Sequence, residues 1–241
     1  MANLNVIASN AEIDGVLVVD KPAGIAVHDM LKAVKTHFNL VKVGHGGTIA
    51  PNASGVVALL LGGAARLGED QMGRDAEYEL TMRLGRATNT FDAEGEVVRE
   101  KDFTAVTRER LEAALEDFRG DIFQRQPQFS VAMVHEREGY TVVEKHGERP
   151  FRLHHIYRLD VEEFAPPLAR FFVRCTKGAN MRALANDLGE ALGCGAIVET
   201  CRRTKTGGVS LAGAIPFMEL MKTHPADLAA LVKPMMVLAG G

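Results

Sequence analysis

Strand-like and helix-like patterns follow one another in this chain without the steady alternation that a doubly wound parallel sheet demands, and that irregularity bounds the fold. Gly15-Val16-Leu17-Val18-Val19-Asp20 is rich in β-branched residues and stops at Lys21-Pro22, as a buried strand ending in a turn does. Helical spacing follows over 28–38, where Met30 or Leu31, Val34 and Phe38 share a face and Asp29 is favourable in the first turn. Ser54-Gly55-Val56-Val57-Ala58-Leu59-Leu60-Leu61 reads as a second core strand, and 77–83 alternates Tyr78, Leu80 and Met82 with polar residues, as a half-buried strand should. Residues 108–118 place Leu111, Ala114, Leu115 and Phe118 on one helical face. Residues 156–164 and 170–175 read as paired strands separated by Pro166-Pro167, and 181–192 as a helix that Gly193 can terminate. Helix-like pieces at 217–222 and 227–232 close the chain. The expected class is α+β: a mixed, largely antiparallel central sheet with flanking helices.

With 241 residues the chain can bury one substantial core, and no Pro-, Gly- or Ser-rich linker divides it, so a single domain over 1–241 is expected. No apolar run has the length to span a bilayer, and the first twelve residues lack the pattern of a secretory signal. Cys175, Cys194 and Cys201 have neither metal-ligand spacing nor the even count of a disulfide framework, and His154-His155 lacks the one-face spacing of metal ligands. The expectation is a reduced, cytoplasmic, monomeric protein with no membrane partner, no metal and no cofactor.

A formal net charge of -3 argues against a general nucleic-acid coat, whose footprint is strongly basic. Local charge says more. Arg137, Lys145, His146, Arg149, Arg152, His154, His155 and Arg158 crowd one segment, and Arg202, Arg203 and Lys205 another. Two basic surfaces on an acidic body suit a defined RNA footprint; on pattern alone they read more readily as solvated faces.

Several blocks carry the chemistry. Lys21-Pro22-Ala23-Gly24 precedes His28-Asp29; then come Gly44-His45-Gly46-Gly47-Thr48-Ile49-Ala50-Pro51-Asn52-Ala53-Ser54-Gly55 and Tyr78. Arg83-Leu84-Gly85-Arg86-Ala87-Thr88-Asn89-Thr90 follows with Asp92 and Gly95, then Cys175-Thr176-Lys177-Gly178, Arg182, Asp187-Leu188-Gly189, and Arg202-Arg203-Thr204 with Gly207. In this order and spacing, from Gly15 to Leu238, the chain resembles the TruB-type tRNA pseudouridine synthases, the TruB/dyskerin branch. The resemblance implies the pseudouridine synthase fold, with a thumb-like insertion at about 124–152 in which Phe129, Tyr140 and basic residues would meet a bound stem-loop. It implies a structured RNA partner, tRNA or a T-loop-like element. The PUA-type domain that many members carry after the matching stretch is not expected here.

The resemblance also assigns roles. Tyr78 matches the tyrosine that stacks on the flipped uracil, His45 lies beside the flipped nucleotide, and Lys177, Arg182, Arg202 and Arg203 belong to the RNA and substrate site. Ala50 stands where the family has its catalytic aspartate, which acts as nucleophile or base on a nucleotide flipped from its stack. A methyl group can neither attack nor take a proton. On pattern alone Tyr78 is equally an inward strand aromatic, and a lone loop histidine such as His45 is more often a structural hydrogen-bonder.

Other positions depart from the family too. Its T-D-T is Thr88-Asn89-Thr90, its K-G-T-Y-I-R is Lys177-Gly178-Ala179-Asn180-Met181-Arg182, and its P-P-x-Y-S-A-x-K is Gln126-Pro127-Gln128-Phe129-Ser130-Val131-Ala132-Met133. Dispersed change fits natural divergence better than one engineered substitution. Three functions are therefore compatible: an RNA-binding homologue without catalysis, an active-family synthase carrying an aspartate-to-alanine change, and a repurposed scaffold for a protein or small anion. Arg182, matching the arginine that pairs with the missing aspartate, needs water or a new acceptor, with Asn180, Asn89 and backbone carbonyls as candidates. Asp20, Asp92 and Asp187 are the carboxylates that could substitute; they read as a strand-end turn, an Asx-type turn and a helix-surface residue.

Overall fold

The computed structural model describes residues 13–66, 75–125, 131–136, 139–144 and 151–238, the two short stretches 131–136 and 139–144 by backbone alone. In chain order the elements are β1 (Gly15–Lys21), α1 (Val27–His37), β2 (Val43–His45), β3 (Ser54–Leu61), β4 (Asp75–Leu84), β5 (Arg86–Thr88), β6 (Val97–Glu100), α2 (Arg108–Leu115) and β7 (Gly120–Gln124). There follow β8 (Val131–Glu136), β9 (Gly139–Glu144), β10 (Arg152–Ala165), β11 (Leu168–Thr176), α3 (Met181–Leu192), β12 (Ala196–Thr206), β13 (Val209–Ser210), β14 (Ile215–Pro216), α4 (Phe217–Leu220) and α5 (Leu228–Leu231). The chain packs as two compact units, one of residues 1–76 and 202–241 and one of 77–201.

In the first unit β1 and β3 pair antiparallel, Gly15 opposite Leu61 and Lys21 opposite Gly55. The outer edge of β1 takes β14 in parallel. Two strands share the other edge of β3. β2 pairs antiparallel with its end, His45 opposite Leu59, and the last part of β12 pairs parallel with its start, Arg202 opposite Ser54 and Arg203 opposite Gly55. The loop 46–53 is thereby held beside the two arginines. One face of β1 and β3, with Leu17, Val19, Val57, Leu59 and Leu61, packs on Val27, Met30 and Val34 of α1 and on Phe217, Leu220 and Leu228. The opposite face, with Val16, Val18, Val56, Ala58 and Leu60, packs on Ala64, Val209 and Leu238. Burial on both faces explains why these strands read as unbroken apolar runs rather than alternating ones. Each such Leu or Val contributes roughly 1.5 to 3 kcal/mol by leaving water.

The second unit orders its strands β12-β4-β11-β10-β7, with β7 at the outer edge. β10 and β11 are antiparallel, Leu159 opposite Val173 and Ala165 opposite Leu168, and β7 is antiparallel to β10. The packed face shows the strict alternation of a one-sided sheet: Tyr78, Leu80, Met82 and Leu84 on β4, and Ala169, Phe171, Val173 and Cys175 on β11, are buried. α3 buries Leu184, Leu188 and Leu192. Its first turn is capped by Asn180, whose side-chain oxygen accepts from the N–H of Arg182 (2.9 Å) and Ala183 (3.2 Å). Its end is Gly193 at φ 82°, a left-handed conformation that glycine adopts without penalty, as expected.

The strands and helices expected at 15–20, 54–61, 77–83, 156–164, 170–175 and 181–192 are present with longer bounds at most ends. The helix expected over 108–118 ends at Leu115 and finishes in a 3-10 turn, and the helical pieces near the C-terminus are shorter than expected. β12 is new. A separate antiparallel hairpin, β8–β9, occupies part of the expected thumb at 124–152, with Val131 opposite Glu144 and Glu136 opposite Gly139. The side chains of Phe129, Arg137, Tyr140, Lys145, His146 and Arg149, on which the thumb expectation rested, lie outside the described residues. Among the described residues no helix is long and apolar enough to cross a membrane.

Candidate active site: the motif loop and the Arg182 cluster

The motif loop of the first unit is built around two buried cations. Lys21 is fully buried, and its ammonium donates to the carbonyls of Pro22 (2.9 Å), Ile25 (2.8 Å) and Pro51 (2.9 Å). Burial, and secondarily the charge of Arg203, lower its pKa from 10.5 to about 8, so at neutral pH it keeps its proton and has a donor for each acceptor. Arg203 is 5% exposed. Its guanidinium donates to the carbonyls of Val56 (2.9 Å), Thr48 (3.1 Å) and Gly47 (3.5 Å). Gly55 lies at φ 117° with its Hα side against β12: a Cβ there would sit 2.2 Å from the Arg203 carbonyl oxygen, which excludes every other residue. Together these contacts fix a turn in which Ala53 donates to the carbonyl of Ala50 (3.0 Å).

Ala50 is half-buried in that turn, and His45 is half-buried at the end of β2. Arg202 is half-exposed; it donates to Asp20 Oδ2 (2.7 Å) and to the Ser54 hydroxyl (3.3 Å). Among the described residues Asp20 Oδ1 is buried without a hydrogen-bond partner. The expectation that Arg202 and Arg203 form one RNA-facing basic surface is corrected for Arg203. Its charge is spent on loop carbonyls, because the loop's irregular backbone turns acceptors inward that no strand satisfies. Lys21→Met is expected to lower the unfolding free energy by about 2 to 4 kcal/mol, since three partly buried carbonyls lose their donor; urea denaturation checks this, and a change under 1 kcal/mol would show that water replaces the ammonium.

In the second unit Arg182, in the first turn of α3, donates to Asp92 Oδ2 (3.2 Å) and to the Thr90 carbonyl (3.4 Å). Asp92 is deeply placed, its side chain 5% exposed against 23% for Arg182. Its other oxygen accepts from the Thr90 hydroxyl (2.6 Å) and the Glu94 N–H (3.2 Å), the Asx-type turn expected from sequence. The acceptors proposed for Arg182 are thus corrected in part. A backbone carbonyl does accept, but Asn180 serves as helix cap and Asn89 accepts from the Glu96 N–H (3.1 Å). Both asparagines are drawn off by nearer backbone donors. The missed residue is Asp92 as ion-pair partner; its only signal was its place in the block after Thr90.

Tyr78 is 8% exposed in the inward row of β4, and Lys177 is half-buried in the turn after β11. Gln124, also missed, links β7 to α3 by accepting from the Asn180 N–H (2.8 Å) and donating to its carbonyl (3.2 Å). Asp187 donates nothing to this cluster; burial pushes its carboxyl pKa up, and Asn186 donates to it (3.1 Å). Among the described residues no group of three or more His, Cys, Asp and Glu could hold a metal ion.

Two family models match consecutive stretches of the chain: the TruB family pseudouridylate synthase N-terminal domain over 35–181 and the tRNA pseudouridylate synthase B C-terminal domain over 182–238. Similar proteins include tRNA pseudouridine synthase B of Pseudomonas aeruginosa, 42% identical over 215 residues, covering 88% of this chain and 70% of the relative. Another is that of Opitutus terrae, 38% identical over 206 residues, covering 85% of this chain and 86% of the relative. Among solved structures, that of a Cbf5-Nop10-Gar1 complex matches with a TM-score of 0.73 at 26% identity, over 93% of this chain. The chain spans 61% of that structure's matched chain.

Proposed function

Since the chain belongs to the TruB family of pseudouridine synthases and has their fold, we propose that it is a family member that binds structured RNA with a T-loop-like element and does not convert uridine to pseudouridine. The observation that carries this reading is the motif loop clamped by Lys21 and Arg203, whose turn holds Ala50 at the position that the resemblance assigns to the family's catalytic carboxylate. The remaining carboxylates do not take over the role. Both oxygens of Asp92 are engaged in a buried network, and Asp187 is held on its helix. Asp20 keeps one buried oxygen without a partner, but its other oxygen is tied to Arg202 at the end of β1, away from the motif turn in sequence. Geometry must precede pKa for any substitute base.

RNA binding is supported by the retention of Tyr78, His45, Lys177 and Arg202 in a family whose named members act on tRNA. Titration of a T-stem-loop against the protein at several salt concentrations tests it. Each phosphate contact adds about 0.7 to 0.9 to the slope of log affinity against log salt, so a magnitude of roughly 3 to 5 is expected from this short basic inventory. Lys177→Glu should weaken binding and flatten the slope. Tyr78→Ala should weaken binding to a loop with an extrudable uridine by about 1 to 3 kcal/mol, and to plain duplex much less. No binding to T-stem-loops, tRNA or ribosomal RNA fragments at low salt would overturn the reading in favour of a scaffold holding another ligand.

A further inference from the structure

The outer corner of the second unit's sheet breaks the rule that the solvent face of a one-sided antiparallel sheet is polar. Ile122, Ile156 and Leu159 are buried on the packed face, and Gln124 reaches α3 on that same face. The residues that alternate with them point away from α3. Among these, Phe123 and Leu153 stand opposite each other in the β7–β10 register, Phe151 continues the row, and Tyr157 follows at the irregularity between Ile156 and Arg158. Their exposures run from 48% to 68%, an apolar and aromatic surface too concentrated to be scattered surface residues.

Guanidinium groups accompany the rings. Arg125 lies 4.5 Å from the centre of Phe151, Arg174 5.5 Å from Tyr157, and Arg158 4.9 Å from Phe172 of β11. His155 is 4.7 Å from Tyr157 and bonded to Asp121 (2.6 Å). Asp121 pairs with His155 and Asp160 with Arg158, while farther along the same two strands Arg170 pairs with Glu162 and Glu163. The surface is thus an open sheet face with planar cations beside exposed rings. We propose that it binds unpaired RNA, with successive bases stacking on Phe123, Tyr157 and their neighbours while the arginines meet the backbone phosphates. Stacking suits an open face because every base offers a π surface, whereas a peptide's side chains need pockets. The surface is built wholly from residues of the second unit, none of them in the motif blocks, so it adds an RNA contact that the T-loop reading does not require.

Fluorescence anisotropy with labelled eight-nucleotide oligoadenylate and oligouridylate, beside a T-stem-loop with no single-stranded ends, tests this. The wild type is expected to bind both octamers, oligoadenylate more tightly because purines stack better. Phe123→Ala and Tyr157→Ala should each weaken octamer binding by roughly five-fold or more. Tyr157→Phe should retain it, and the stem-loop affinity should be unchanged by all three substitutions. Wild-type protein that binds neither octamer, or octamer binding indifferent to the two alanine substitutions, overturns the proposal. So does sedimentation as a dimer that Phe123→Glu converts to monomer without octamer binding, which would make the face a contact between copies. Octamer binding with no stem-loop binding would sink the T-loop reading and leave this one standing.

Discussion

A T-stem-loop transcript incubated with stoichiometric protein is expected to emerge with its uridines intact, with pseudouridine no higher by nucleoside mass spectrometry than in a protein-free control. The reaction breaks an N-glycosidic bond, turns the base and rejoins it through C5, and on the proposed reading Ala50 takes the place of the aspartate that would do this. Losing a nucleophile elsewhere costs on the order of 10⁴ to 10⁶ in turnover, leaving what binding and positioning supply. Turnover above the control would refute the claim and direct attention to Asp20, the one buried carboxylate oxygen described here without a partner. Ala50→Asp tests the origin of the loss. Arg182 is already held by Asp92 and Thr90, and on the resemblance Asn89, Asn180 and Met133 are further departures that Ala50→Asp leaves in place, so weak activity at best is expected. Robust turnover by that single revertant would mean that only Ala50 had silenced an otherwise competent synthase.

The elements legible in the sequence were those whose burial is set by their own pattern. β1 and β3 are covered on both faces and so carry unbroken apolar runs; β4 and β11 are covered on one face and alternate; α3 announces both its stripe and its terminating glycine. β12 escaped because it carries Glu199, Arg202, Arg203 and Lys205, and the partners of the first three lie far away in the chain. Arg203 bonds carbonyls more than 140 positions earlier, and Glu199 pairs with Arg83 at 2.7 Å. Pattern reading treats such residues as solvated. The same limit applied at the site: motif order located Ala50, Arg182 and the two arginines of β12, yet only three-dimensional contacts separate Arg202, half-exposed on Asp20, from Arg203, sealed beneath the loop. The division follows from β12 pairing beside β3, which turns adjacent side chains to opposite faces.

Asp92→Ala is expected to lower the unfolding free energy by about 3 to 5 kcal/mol, the usual consequence of leaving one member of a buried ion pair without its partner. The carboxylate does more than balance Arg182: it also accepts from the Thr90 hydroxyl and the Glu94 N–H, so its removal frees donors on the turn as well as a guanidinium that is 23% exposed. Asp92→Asn keeps the shape and one acceptor oxygen but loses the charge, and should cost about half as much. If the ion pair is the larger part, Arg182→Met in the Asp92→Ala background should recover stability, because the stranded cation is gone; if the turn is the larger part, it should recover nothing. Urea denaturation of the wild type, Asp92→Ala, Arg182→Met and the double variant forms the cycle, with Asp92→Asn measured beside it. A loss below about 1 kcal/mol for Asp92→Ala would show that water readily hydrates Arg182, and the ion pair with Asp92 would then not be what holds the arginine in place.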